Sequence, residues 1–177
     1  MDMMEQPMVH IYCGDGKGKT TAAAGLAVRA AGAGLRVLFM QFLKGNTSSE
    51  IPVLRSIPGI EVLKPEKQYG FTFQMDSEDK QDISVCHNAI LRTALDRLAQ
   101  DSEDVLIFDE VISAWNYGLL DQDLLREILE RPRTAEIVLT GRDPDCYLLE
   151  KADYVTEMRM LRHPYEKGIT ARKGIEW

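Results

Sequence analysis

Short apolar runs alternate with alanine-rich or amphipathic stretches along most of the chain. Val9-His10-Ile11-Tyr12 opens the series as a buried strand, and Arg36-Val37-Leu38-Phe39-Met40-Gln41-Phe42 has the near-continuous apolar character of a parallel strand covered on both faces. Ile60-Glu61-Val62-Leu63, Val105-Leu106-Ile107-Phe108 and Ala135-Glu136-Ile137-Val138-Leu139 read as further strands. Between them, Thr21 to Gly32 has the composition of a helix, ended by Gly34, and a short helix starts near Ile51-Pro52. Asp76-Ser77-Glu78-Asp79 places capping and acidic residues at a helix start, after which Ile83, Cys86, Ile90, Ala94, Leu95 and Leu98 recur at helical spacing. Asp121 and Asp123 open another helix that ends before Pro132, and Asp143-Pro144 restarts one. Asp153 to Leu161 reads as a last strand and Arg162 to Trp177 as a basic, glycine-punctuated tail. Strand and helix in alternation predict an α/β fold of three layers with a mostly parallel sheet.

The junction of the first strand and first helix carries the strongest chemistry. In Cys13-Gly14-Asp15-Gly16-Lys17-Gly18-Lys19-Thr20-Thr21, glycines let successive backbone N–H groups turn inward around an anion, and the helix start adds partial positive charge. Lys19 supplies a mobile cation, Thr20 a hydroxyl for Mg²⁺, and Gly14, Asp15, Gly16, Lys17, Gly18 and Thr21 the rest of the loop. Cys13 stands where the usual G-x-x-x-x-G-K-[ST] spacing has its first glycine, but the strand-loop-helix context is the one a P-loop requires. The loop thus predicts a P-loop NTPase-like fold.

Downstream, Val105 to Phe108 ends in Asp109-Glu110, the arrangement that delivers a carboxylate to the Mg²⁺ beside such a loop. Spacing leaves open which of Asp109 and Glu110 is the metal ligand. Lys44 and Arg142 follow strand ends, where open α/β sheets place their ligands. Arg29 is the charge of the first helix, either a surface arginine or an arm towards nucleotide oxygens. Tyr69-Gly70-Phe71-Thr72-Phe73 is an aromatic cluster on a loop, either local packing or the wall of a pocket. His87 lacks a partner histidine one helical turn on, and reads as a satisfied or exposed side chain rather than a metal ligand.

At 177 residues, with no long linker or low-complexity tract, residues 1–177 are expected to form a single domain. A formal net charge of −7 argues against a general nucleic-acid or anionic-membrane surface and in favour of small-molecule partners. Cys13, Cys86 and Cys146 are scattered, so neither a disulfide framework nor a zinc site is indicated, and a cytoplasmic setting is expected. The start of the chain has neither a basic n-region nor an apolar h-region, and no run has membrane-spanning length.

Taken together, the chain resembles the P-loop ATP:corrinoid adenosyltransferases, also called cob(I)yrinic acid a,c-diamide adenosyltransferases. The resemblance is carried by Gly14 to Ala23, Gln41-Phe42-Leu43-Lys44-Gly45, Gly70-Phe71-Thr72-Phe73, Asp109-Glu110, Thr140-Gly141-Arg142, Lys167-Gly168-Ile169 and Gly174-Ile175-Glu176-Trp177. It implies that cobalt(I) of a corrinoid attacks C5′ of ATP and expels triphosphate, with ATP held in the reverse sense from ordinary P-loop enzymes. Lys19, Thr20 and Glu110 would then be the catalytic set, with Thr20, Glu110 and Asp109 on the Mg²⁺ side. Arg29 and Arg142 become candidate nucleotide contacts. The resemblance also places Phe71 and Phe73 against the lower face of the corrin, where they make four-coordinate cobalt(II) easier to reduce. Phe73 stands where the family's pattern leads one to expect Trp, which bears on the fit of the ring. A corrinoid-reducing protein and a homodimer are further implied, while the longer N-terminal arm of some relatives is not seen before the cradle. A small P-loop kinase or ATPase, with Arg142 or Arg162 on its lid, and a corrinoid carrier without turnover are the competing readings.

Overall fold

The computed structural model describes residues 6–43, 48–67, 69 and 75–175. Six strands, β1 (Val9–Cys13), β2 (Val37–Gln41), β3 (Ile60–Leu63), β4 (Val105–Asp109), β5 (Glu136–Thr140) and β6 (Tyr154–Glu157), form one sheet in the order β3-β2-β4-β5-β1-β6. Every neighbouring pair is parallel. The helices are α1 (Lys19–Gly32), α2 (Glu50–Ser56), α3 (Ser77–Ala99), α4 (Val111–Asn116), α5 (Gln122–Glu130) and α6 (Cys146–Lys151), followed by a 3₁₀ turn at Pro164–Lys167.

The continuous apolar strands follow from helices on both faces. Val37, Phe39, Val105, Ile107 and Val138 pack against Ala23, Ala27 and Ala30 of α1 and Ile51 and Leu54 of α2. The alternate residues Leu38, Met40, Leu106, Phe108, Ile137 and Leu139 pack against α3, α4 and α5 on the other side. Alanines along α1 let that helix lie close to the sheet. Aspartate caps set three helix starts: Asp76, Asp121 and Asp145 accept hydrogen bonds from the amides of Asp79, Asp123 and Leu148.

Two differences from the pattern reading stand out. α4 was not foreseen, because a helix of six residues, four of them buried, shows no amphipathic period. β6 ends at Glu157 instead of Leu161, since beyond that point the chain leaves β1 and crosses the glycine-rich loop. All four β6 residues are exposed on the edge of the sheet. No helix among the described residues is long and apolar enough to cross a membrane.

A nucleotide cradle at the carboxyl edge of the sheet

All the strands run the same way, so the ends of β1, β2, β4, β5 and β6 open onto one rim, where α/β sheets bind their ligands. β1 ends at Cys13, whose side chain turns into the core; burial pushes its thiol up from the ordinary cysteine value, so it is uncharged at neutral pH. Glycine is therefore not required at this position. The chain then passes through Gly14 (φ 97°) and Gly18 (φ 118°) into α1. Lys19, 8% exposed, folds back so that its Nζ donates to the carbonyls of Gly14 and Gly16, at 2.8 Å each. A buried ammonium is thus fixed inside the loop before any ligand is added.

Gly16 has a structural reason that motif spacing does not reveal. Its N–H donates to the Met158 carbonyl at 2.6 Å, and a Cβ on Gly16 would stand 2.4 Å from that same oxygen. The Met158 amide in turn bonds Cys13, and the Met160 amide bonds the Asp15 carboxylate at 3.1 Å. Asp15, read from the motif as a ligand contact, therefore anchors the segment after β6, which forms one wall of the loop. Thr20 lies half-buried in the first turn of α1, while Lys17 and Thr21 are exposed.

Across the rim, Asp109 ends β4 between β2 and β5, fully buried. Its Oδ1 accepts from the Thr140 hydroxyl at 2.8 Å and its Oδ2 from Gln41 Nε2 at 3.2 Å. The Thr140 Oγ1 also accepts the Glu110 amide at 2.8 Å. Glu110 is half-buried and holds a left-handed backbone (φ 63°), with its Oε2 accepting from the Ser113 hydroxyl at 2.9 Å. The turn at Glu110 follows directly on Asp109, the last residue of the strand, and starts α4. One carboxylate is thereby tied into the sheet and the next is turned outward. Gly141 (φ 153°) is forced by the same helix: a Cβ there would lie 2.6 Å from Ile112 Cβ.

Arg142 follows Gly141 on the rim, exposed, with its carbonyl accepting from Asn116. Arg29 is not brought to the cradle: it is exposed on α1, ten residues beyond Lys19, which is about 15 Å along a helix axis. Lys44, Phe71 and Phe73 lie outside the described residues. Among the described residues, no group of three or more His, Cys, Asp or Glu side chains forms a protein-only metal cage. A Thr20 hydroxyl and a Glu110 carboxylate do suit Mg²⁺, a hard cation that takes one or two protein oxygens alongside phosphates and water.

Strand, glycine loop, seated lysine and a carboxylate pair at the end of β4, with β5 between it and β1, define a P-loop nucleotide-binding protein. Residues 5–177 match the family model of the ATP:corrinoid adenosyltransferases BtuR/CobO/CobP, and the chain belongs to that family. It is 34% identical to a corrinoid adenosyltransferase of Pseudomonas aeruginosa, over 98% of this chain and 85% of the relative. Identity is 32% to the corrinoid adenosyltransferase of Escherichia coli K12, over 98% and 87%, and 30% to corrinoid adenosyltransferase CobA of Salmonella typhimurium, over the same shares. A weaker structural likeness is to the ADP form of the ORC2 protein of Aeropyrum pernix: TM-score 0.40 at 17% identity, over 86% of this chain and 42% of that one.

Proposed function

We propose that this single-domain chain transfers the 5′-deoxyadenosyl group of ATP to cobalt(I) of a corrinoid and releases triphosphate, in the synthesis or salvage of adenosylcobalamin. The observation that carries the reading is the seated Lys19 cradle facing the Asp109–Glu110 turn, in a member of the ATP:corrinoid adenosyltransferase family. The bond that breaks is C5′–O, and the pair of electrons leaves on triphosphate. The new bond is carbon to cobalt. Triphosphate leaves only where its growing charge is met, and the Lys19 ammonium and the loop amides meet it there. Mg²⁺, held by Thr20 and Glu110, would supply further neutralisation of the leaving oxygens.

Asp109, with both oxygens engaged, positions Gln41 and Thr140, and through Thr140 it fixes the Glu110 amide. This division favours Glu110 over Asp109 as the metal-side carboxylate. The nucleophile belongs to the corrinoid, so the protein's part is to orient C5′ and exclude water rather than to remove a proton. Arg142, on the rim, is read as a contact to nucleotide oxygens, and Phe71 and Phe73 as the apolar face beneath the corrin. A corrinoid-reducing protein, a homodimer and a cytoplasmic setting complete the reading.

Anaerobic incubation with Mg-ATP and a chemically reduced corrinoid tests it. The expected result is a light-sensitive alkylcobalt spectrum with one triphosphate released per product. ADP without an alkylcobalt product is the behaviour of a kinase or ATPase and would overturn the proposal; saturable binding of both substrates with no product would equally overturn it.

A further inference from the structure

We propose that residues 158–160, the segment that leaves β6, position the Lys19 ammonium by clamping Gly16, and that Asp15 latches this clamp instead of touching the substrate. The inference rests on and deepens the reading above, in which Lys19 meets the charge of the leaving triphosphate. Lys19 Nζ has its place because two carbonyls converge on it, those of Gly14 and Gly16. Gly16 has no side chain to restrict its torsions, so its carbonyl stays aimed at Lys19 only where something else holds the residue. The Met158 carbonyl does so, accepting the Gly16 N–H at 2.6 Å. Met158 is itself tied to β1, its amide donating to the Cys13 carbonyl at 2.8 Å. Two residues on, the Met160 amide donates to Asp15 Oδ1 at 3.1 Å, a contact between positions 145 residues apart. The order of action is therefore Asp15 on the segment, the segment on Gly16, and Gly16 on Lys19.

Two features of the loop make this separable from simpler roles. Asp15 puts a negative charge into an anion-binding loop, and by Coulomb's law alone that charge opposes triphosphate. Its carboxylate is useful there as a hydrogen-bond acceptor, so the latch and the bare charge predict changes of opposite sign when it is removed. Gly16 is not among the glycines of positive φ, so alanine meets no left-handed backbone there. What stands in the way of a Cβ is the clamp itself: the Met158 carbonyl oxygen at 2.4 Å and its carbon at 2.8 Å. Gly16→Ala thus expels the segment without otherwise straining the loop.

The test is isothermal titration of the full chain with inorganic triphosphate and Mg²⁺, which needs no adenosyl transfer. Gly16→Ala should weaken binding roughly ten- to thirtyfold and Asp15→Ala roughly three- to tenfold, as the ammonium loses its fixed place. Asp15→Asn keeps an acceptor oxygen without the charge and should bind at least as tightly as wild type. In a Lys19→Ala background, Gly16→Ala and Asp15→Ala should each change the affinity by less than about twofold, because the residue they act through is gone. Amide hydrogen exchange should find the Gly16 N–H protected in the wild type and faster to exchange in Asp15→Ala. Should Gly16→Ala not fold, the Asp15 pair and the exchange measurement carry the test.

Tighter triphosphate binding by Asp15→Ala overturns the latch, because the carboxylate then acts only as a charge. Equal losses in Asp15→Ala and Asp15→Asn also overturn it, since they make the charge itself a contact to the metal or ligand. Losses that persist in full in the Lys19→Ala background overturn the positioning role, because a merely structural clamp weakens the loop whether or not the lysine is present. The underlying reading fails separately: the predicted affinities beside ADP and no alkylcobalt product in the adenosyl-transfer assay would support the clamp and remove the adenosyltransferase reading.

Discussion

Lys19→Ala lowers the rate of adenosyl transfer by roughly a thousandfold, the loss expected when one preorganised group aimed at a developing charge is removed. The size follows from the position of the ammonium. It is 8% exposed and its two hydrogen bonds to Gly14 and Gly16 hold it in the middle of the loop, so it is already in place when triphosphate begins to leave. Lys19→Arg does not restore the rate, because a planar guanidinium does not fit between two carbonyls that converge on one nitrogen. Stopped-flow or steady-state assays under anaerobic conditions, beside thermal unfolding of each variant, make the check. A Lys19→Ala protein within tenfold of wild type would remove the lysine from the charge-neutralising role.

Glu110→Gln is expected to cost roughly a hundredfold in kcat, with a higher Mg²⁺ requirement and an unchanged melting temperature. Its companion Glu110→Gly separates backbone from side chain. The left-handed turn at residue 110 costs an L residue about 1–2 kcal/mol that glycine does not incur, so Glu110→Gly should unfold at the same or a higher temperature while losing activity as the glutamine variant does. Strain kept at a position that a glycine would relax is the expected signature of a side chain retained for chemistry. Full activity in Glu110→Gly, or an unchanged Mg²⁺ requirement in Glu110→Gln, would move the metal role elsewhere.

The parts of this account legible in the sequence are those whose causes lie close together along the chain. The cradle is one unbroken stretch, and the run from Val105 to Glu110 carries its apolar strand and its acids side by side. What could not be read are contacts created by strand order. Asp109 meets Gln41 and Thr140 only because β4 lies between β2 and β5, partners 68 and 31 residues away. Without that order Asp109 and Glu110 look interchangeable; with it, one is an internal brace and the other faces the rim.

The same limit hid the wall of the loop. Asp15 sits in a phosphate-binding motif, yet its carboxylate binds the Met160 amide, 145 residues later. Gly16 looked like a loop glycine and is one, but its missing side chain also admits the Met158 carbonyl. His87, alone on its helix in the sequence, reaches backbone partners 44 and 32 residues away. The sequence leaves it satisfied or exposed; the fold buries it and supplies both partners. Arg29 shows the reverse case, a residue whose helix is legible but whose exposed place along it carries it away from the cradle.

A crystal structure of the chain with Mg-ATP and a corrinoid is the most direct trial of the central claim, which is that this cradle grips the polyphosphate and offers the ribose carbon. The account predicts the polyphosphate around Lys19 and C5′ turned to the cobalt. A γ-phosphorus facing the acceptor, with C5′ directed away, would contradict it.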